Sequence, residues 1–186
     1  MRQSHDLDPR RRKTREALQS AFMSLALRRR YHEIRIDDIL EASGVARSTF
    51  YEHFSGKDAL LAVSMDSVLS LLAQIPTGKA SARQLATLLA HFWENRELVR
   101  RVFQGAAVRV VRKALVDKIE VQLKRRAGER LRLPPRLAAH ALADGIFSPI
   151  LAWLSGEASC SPPDLAVALR IPAEATLASM VAAASA

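Results

Sequence analysis

Six of the hydrogen-bond donors crowded into residues 47 to 57 form one candidate set: Arg47, Ser48, Thr49, Tyr51, His53 and Lys57. Hydroxyls and a phenol each offer one bond from a short or stiff stem, which suits phosphate oxygens, while a guanidinium spans two acceptors on a guanine edge. Val45, Phe50 and Phe54 interleave with them at offsets of five and four. A helix over this stretch would therefore turn its apolar residues one way and its donors the other. The pattern predicts non-covalent recognition of a polyanion, with Arg47 and Ser48 at the leading end of the helix reaching base edges. Plainer readings stand beside it: Tyr51 packed on a neighbouring helix, His53 neutral and capping, Arg47 a solvated charge. Glu52 is unfavourable near phosphates unless it accepts from a cytosine amine or a neighbouring base-side group.

A second cationic cluster, Arg10, Arg11, Arg12 and Lys13 with Arg2 and Arg15, stands near the N-terminus. It can enter a minor groove or neutralise phosphates, the alternative being a solubilising tail. The 186-residue chain has a formal net charge of +9 and a pI near 10.6, which favours polyanionic partners. That surplus is local: residues 1–30 carry +6 and residues 96–136 carry +9, whereas residues 31–60 and 137–186 each carry −3. Attraction to a polyanion must come from the N-terminal cations and a few placed residues, because the 31–60 region is itself negative. For the larger block, which includes Arg109, Arg112, Lys118, Lys124, Arg125, Arg126 and Arg136, solvated helix faces are the plain reading. An acidic effector, a partner or flanking DNA is the sharper one.

Composition narrows the class. At 49% hydrophobic and 25% charged, the chain can bury a core. There is no Gly-rich phosphate loop, no Ser/His/Asp or Cys/His arrangement and no metal-ligand spacing, and the five histidines are scattered at 5, 32, 53, 91 and 140. An enzyme is not expected, nor is a cofactor or a metal. Cys160 stands alone, which fits a reducing compartment. No apolar run approaches the ~18 residues of a membrane span, and the Arg-rich N-terminus has no apolar stretch behind it. The expectation is a cytoplasmic, nucleoid-associated protein that does not engage a membrane; a basic protein of the membrane surface is the competing reading.

The elements that must position these groups read as helices throughout, with no convincing period-2 alternation. Asp8-Pro9 opens a helix to about Arg29. Ile36, Ile39 and Leu40 mark a short helix stopped at Ser43-Gly44, and Val45, Phe50 and Phe54 outline the next. Ser55-Gly56-Lys57-Asp58 predicts a capping box that opens one long helix through Leu72. Ser81 with Gln84 predicts another before 81–94, and further helices follow at 96–104, 106–126, 136–155 and 163–184. Pro149 and Pro172 should kink or break theirs.

Two short helices joined by a Ser-Gly turn and preceded by a basic-tipped helix form a helix-turn-helix signal at 35–54. Residues 31–61, with Tyr31, Ile36/Ile39, Gly44-Val45, Thr49-Phe50-Tyr51, His53-Phe54, Lys57 and Leu60-Leu61, resemble the N-terminal domain of the TetR family of bacterial transcriptional regulators. The sequence departs from the family pattern at Arg35 and Ala46, where hydroxyl residues commonly cap, and at Ser48. The resemblance implies an all-α fold: a three-helix helix-turn-helix DNA-binding domain followed by a helical-bundle sensor and dimerisation domain. The expected layout is a flexible basic arm at 1–8, the DNA-binding domain at 9–55, a connecting helix at 56–76 and the C-terminal domain at 77–186.

By the same resemblance Thr49, Tyr51, His53 and Lys57 contact the DNA backbone, and the last two helices build a four-helix interface in a homodimer that reads a palindromic operator. A small-molecule effector of unknown identity would sit among His91, Phe92, Trp93, Phe103, Phe147 and Trp153, which plain core packing explains equally well. Repression is the family's usual mode. The runner-up is a nucleoid-associated or division-linked DNA binder of the same fold, controlled by a protein partner.

Overall fold

The computed structural model describes residues 9–102, 105–126 and 131–181; the predicted arm at 1–8 and Phe103 lie outside them. The described chain is all-α. Helix α1 (Pro9–Ala26) leads through a 3₁₀ turn (Tyr31–Glu33) to α2 (Ile36–Ser43) and α3 (Arg47–His53). Then come α4 (Lys57–Ser64), α5 (Asp66–Leu72), a 3₁₀ turn (Ile75–Thr77), α6 (Ala82–Glu94), α7 (Arg96–Val102), α8 (Ala106–Lys124), α9 (Pro135–Ser155) and α10 (Pro162–Met180). One apolar core runs from Leu18 to Leu177.

Local chemistry sets several boundaries where the sequence puts them. Ser81 Oγ accepts from the Gln84 N–H at 3.2 Å, and Ser161 Oγ accepts from the Asp164 N–H at 3.2 Å. Gly44 ends α2 at φ +67, a left-handed conformation that a side chain would strain. Where Arg35 replaces a hydroxyl cap, the Arg35 N–H donates to Asp38 Oδ2 at 2.7 Å, so the acid three residues on supplies half of a capping box.

Other expectations fail for tertiary reasons. Helix α1 stops at Ala26 and not near Arg29: Leu27 is exposed and the Arg28 and Arg29 N–H groups both turn back to Leu25 O. Beyond Leu27 three arginines follow, so a further turn has no apolar side chain to bury until Tyr31. The long helix through 56–72 is two helices bent by 60° at Met65. That bend lets Leu60 and Leu61 face the N-terminal core while Leu69 and Leu72 face the C-terminal bundle, all four fully buried. Lys118 of α8 pins it by donating to Asp66 Oδ1 at 2.7 Å and Ser70 Oγ at 2.9 Å. Ser55 does not cap α4; Gly56 is the N-cap residue, and Asp58 accepts instead from the Tyr31 hydroxyl. Neither Pro149 nor Pro172 ends its helix. Pro149 follows Gly145 by four residues, and glycine leaves the freed carbonyl room to tilt away from the ring.

In the bundle α8 packs on α9, and α10 packs on α6 and α9. By length and composition α9 could cross a membrane, but half of its most apolar window is buried among its neighbours. The outer face of α9 and α10 is a different surface. Leu137, Val167 and Ile171 stand 54%, 48% and 64% exposed, beside exposed Ala141, Gly145, Ser148 and Pro149.

Part of the second basic block joins helices. Arg112 of α8 bridges Asp144 of α9 at 2.5 Å, and Arg136 of α9 bridges Asp117 at 2.5 Å and Glu120 at 2.9 Å. Lys113 and Lys124 add bonds to Asp117 and Glu120 within α8. Partial burial pushes Asp117 up, but Lys113 and Arg136 outweigh it and hold the carboxyl low. Lys124 and Arg136 lower Glu120, and Arg112 lowers Asp144. Carboxylates lowered in the folded state add stability above their unfolded values, and that stability is lost as pH falls through the folded ones. Thermal stability is therefore expected to hold near neutrality and to fall below about pH 4. Arg136→Met should lower the melting temperature at neutral pH and converge on the parent in acid. A gap equally wide at both pH values would show that these ion pairs do not carry the acid sensitivity.

Candidate nucleic-acid interface

The turn between α2 and α3 aims α3 outward. The Gly44 N–H donates to Leu40 O at 2.9 Å, closing α2, and the Val45 N–H donates to Ser43 Oγ at 3.3 Å. Helix α3 has only seven residues, too few to be stable alone, so burial holds it. Phe50 is completely buried and Phe54 nearly so, with ring centroids 5.9 Å apart. Anchored on that side, α3 presents Arg47, Ser48, Tyr51 and Glu52 to solvent, with Thr49 and His53 half-buried at the edges. This is the division of faces read from the spacing. Tyr51 stands 50% exposed with its ring edge on Phe50 at 5.3 Å, so the aromatic body is supported and the surface around it stays open.

The first turn of α1 lies beside the far end of α3. Arg10, Arg11, Arg12 and Lys13 are exposed there and belong to the helix itself. Arg15 places its guanidinium 5.4 Å from the centre of the Phe54 ring. Burial first, then the nearby Arg11 and Arg15 charges, lower the His53 pKa, so the imidazole is neutral at neutral pH and donates a single N–H. The two cationic groups picked out separately in the sequence thus approach one another at the His53 end of α3, where Arg11 and Arg15 act on the imidazole.

Lys57, the expected phosphate contact, is also tied into the domain. Its ammonium donates to Tyr31 O at 2.9 Å and Ile34 O at 2.7 Å and lies 4.4 Å from the centre of the Tyr31 ring. Two of its three N–H groups are committed inside the domain, leaving one for a phosphate. Burial lowers its pKa, and Asp58 and Asp38 partly restore it. Burial and the Asp58 carboxylate raise the Tyr31 phenol far above its ordinary value, so it remains a donor to Asp58. Tyr31, Lys57 and Asp58 together latch the start of α4 to the 3₁₀ turn that leads into α2.

Sequence reasoning missed a further pairing: Arg47 Nη2 donates to Asp37 Oδ1, across ten residues and the whole inter-helix turn. The only signal was an acid in the first turn of α2, which reads equally well as helix-dipole complementation.

The expected effector lining is split. Phe92, Phe147 and Trp153 are core, at 3%, 3% and 1% exposure, whereas His91 and Trp93 face outward. Trp153 spends its indole N–H on Cys160 O at 3.0 Å, and Trp93 covers it with ring centroids 4.8 Å apart. Two of the expected lining residues, Trp93 and Trp153, thus pack ring on ring. A groove of about 400 Å³ lies elsewhere, lined by Ser70, Asp117, Lys118, Val121, Gln122 and Arg125.

The fold and this surface define a helix-turn-helix DNA-binding protein. Residues 20–63 match the family described as bacterial regulatory proteins, tetR family. The match spans the helix-turn-helix segment and its flanking helices, about a quarter of the chain, and not the C-terminal bundle. A 56-residue segment is 46% identical to YxbF, an HTH-type transcriptional regulator of Bacillus subtilis (strain 168), covering 30% of this chain and 15% of that protein's length. Solved structures share the fold over nearly the whole chain. A TetR transcriptional regulator from Rhodococcus sp. RHA1 is 19% identical, covering 92% of this chain and 98% of its own, at a TM-score of 0.55. NalD, the secondary repressor of the MexAB-OprM multidrug efflux pump in Pseudomonas aeruginosa, is 21% identical, covering 89% and 95%, at a TM-score of 0.54.

Proposed function

We propose that this protein acts in the cytoplasm as a homodimeric repressor that binds a palindromic DNA operator through α3 and the first turn of α1, and is released when the C-terminal bundle binds an effector. The observation that carries the reading is the two-sided α3: Phe50 fully buried, and Arg47, Ser48 and Tyr51 exposed, with Arg11 and Arg15 of α1 near its His53 end. Arg47 and Ser48 read base edges; Thr49, Tyr51, His53, the third N–H of Lys57 and the α1 cations hold the backbone. The exposed apolar face of α9 and α10 supports the dimer, and a two-fold pair of recognition helices about 34 Å apart matches one turn of DNA. The layout follows: an N-terminal segment at 1–8, a DNA-binding unit at 9–55, a connecting segment at 56–76 and a sensor and dimerisation unit at 77–186.

Sequences enriched from a random duplex pool supply the operator probe, and fluorescence anisotropy supplies the test. Tyr51→Ala should weaken operator and unrelated duplex by a similar factor, whereas Arg47→Ala should also flatten the preference between them. Parental binding by both variants would remove α3 from the interface.

The split of the aromatic set between core and surface favours a second reading, in which a protein partner replaces the small effector and the DNA role is nucleoid-associated or division-linked. Genome-wide occupancy separates the two. A few sites near promoters fit the repressor; many dispersed sites fit the alternative.

A further inference from the structure

Asp37 and Asp38 stand side by side in the first turn of α2 and do different work. Asp38 is used inside the domain, accepting from the Arg35 N–H at 2.7 Å and from Arg29 Nη1 at 3.0 Å. Asp37 reaches instead across the turn to Arg47, with both side chains largely in solvent, at 72% and 54% exposure. An ion pair so exposed adds little to stability. A carboxylate beside a surface that must meet phosphates also opposes non-specific attraction. The placement therefore works against both folding and bulk affinity.

What the pair does supply is direction. Arg47 is the first residue of α3, with a long side chain that free in water would sample many rotamers. Asp37 takes one Nη2 N–H of the five-donor fork, and the Arg47 side chain stays largely exposed to solvent. Bidentate recognition of guanine needs the guanidinium held in one plane, and a second acceptor on the protein side supplies that restraint at no cost during binding. We propose that Asp37 is a specificity-determining residue that acts through Arg47, fixing its guanidinium for a base edge while lowering affinity for DNA at large. This rests on Arg47 being a base reader.

The test compares the parent, Asp37→Asn, Arg47→Ala and the double variant by selection from a random-sequence duplex pool, followed by anisotropy on the selected and unselected duplexes. Arg47→Ala should flatten preference at particular base pairs. Asp37→Asn should flatten the same base pairs, by roughly tenfold or less, and should bind the unselected pool as tightly as the parent or more tightly. The double variant should discriminate no worse than Arg47→Ala. Thermal melts should superimpose on the parent's, since neither side chain is buried.

If Arg47→Ala flattens preference and Asp37→Asn raises affinity for every duplex alike, Asp37 is only a bulk charge and the proposal fails on its own. If Arg47→Ala leaves preference intact, the base-reading role of Arg47 fails and takes the proposal with it.

Discussion

Phe50→Ala is expected to destabilise the protein by about 3–5 kcal/mol and to abolish operator binding. Phe50 is completely buried, its ring packed against Phe54 and met edge-on by Tyr51. Removing it opens a cavity beneath a seven-residue helix that has no means of standing alone. The loss should appear as a midpoint shift in denaturant unfolding, and as a melting temperature lower by roughly 10 °C for a chain of this length. Phe50→Leu, which keeps most of the volume, should cost less than about 1.5 kcal/mol and retain binding. Because the apolar core is continuous from Leu18 to Leu177, one cooperative transition should move as a whole. An alanine variant with parental stability would mean that this contact does not hold α3.

Ile171→Arg is expected to convert the proposed dimer to a monomer while leaving each protomer folded. Ile171 is 64% exposed on α10, so its replacement leaves the protomer's interior intact, and Val167 at 48% lies one turn away on the same face. A charge in the centre of an apolar two-fold contact meets its own copy and a desolvation cost together. Losing the second half-site should weaken operator binding by roughly 10²–10⁴-fold, with monomer mass by analytical ultracentrifugation and an unchanged melt at low concentration. A persistent dimer would move the interface away from α10.

How much of this was legible depended on whether a boundary is decided locally. Ser81 with Gln84, Ser161 with Asp164 and Gly44 act within three or four residues, and each appears where the sequence places it. The recognition helix was legible for the same reason, since Val45, Phe50 and Phe54 lie within ten residues. What escaped was settled across distance. Asp58 reads as the end of a capping box, but a phenol 27 residues earlier takes its carboxylate. Lys57 reads as a phosphate ligand, and two carbonyls also take its ammonium. The break at Met65 has no proline or glycine to announce it, and the Lys118 ammonium that holds its far side comes from 52 residues further along the chain. The aromatic residues from His91 to Trp153 show the remaining difficulty: ring content is the same in a binding chamber and in a packed helix end, and only the three-dimensional arrangement separates them.

The bend at Met65 makes the connection between the two ends of the molecule a crank and not a push-rod. Helix α4 has eight residues, about 12 Å of axis at ~1.5 Å per residue, with the bend at one end and the Lys57 latch at the other. A rotation of about 5° at the bend carries the latched end sideways by about 1 Å, whereas the same angular change would hardly alter the length of a straight shaft. Lys118 of α8 grips Asp66 just past the pivot, so a displacement of α8 would reach α4 through that bond. The leverage is set by the length of α4, so inserting a full turn there would change the mechanical gain while preserving the register of its buried face.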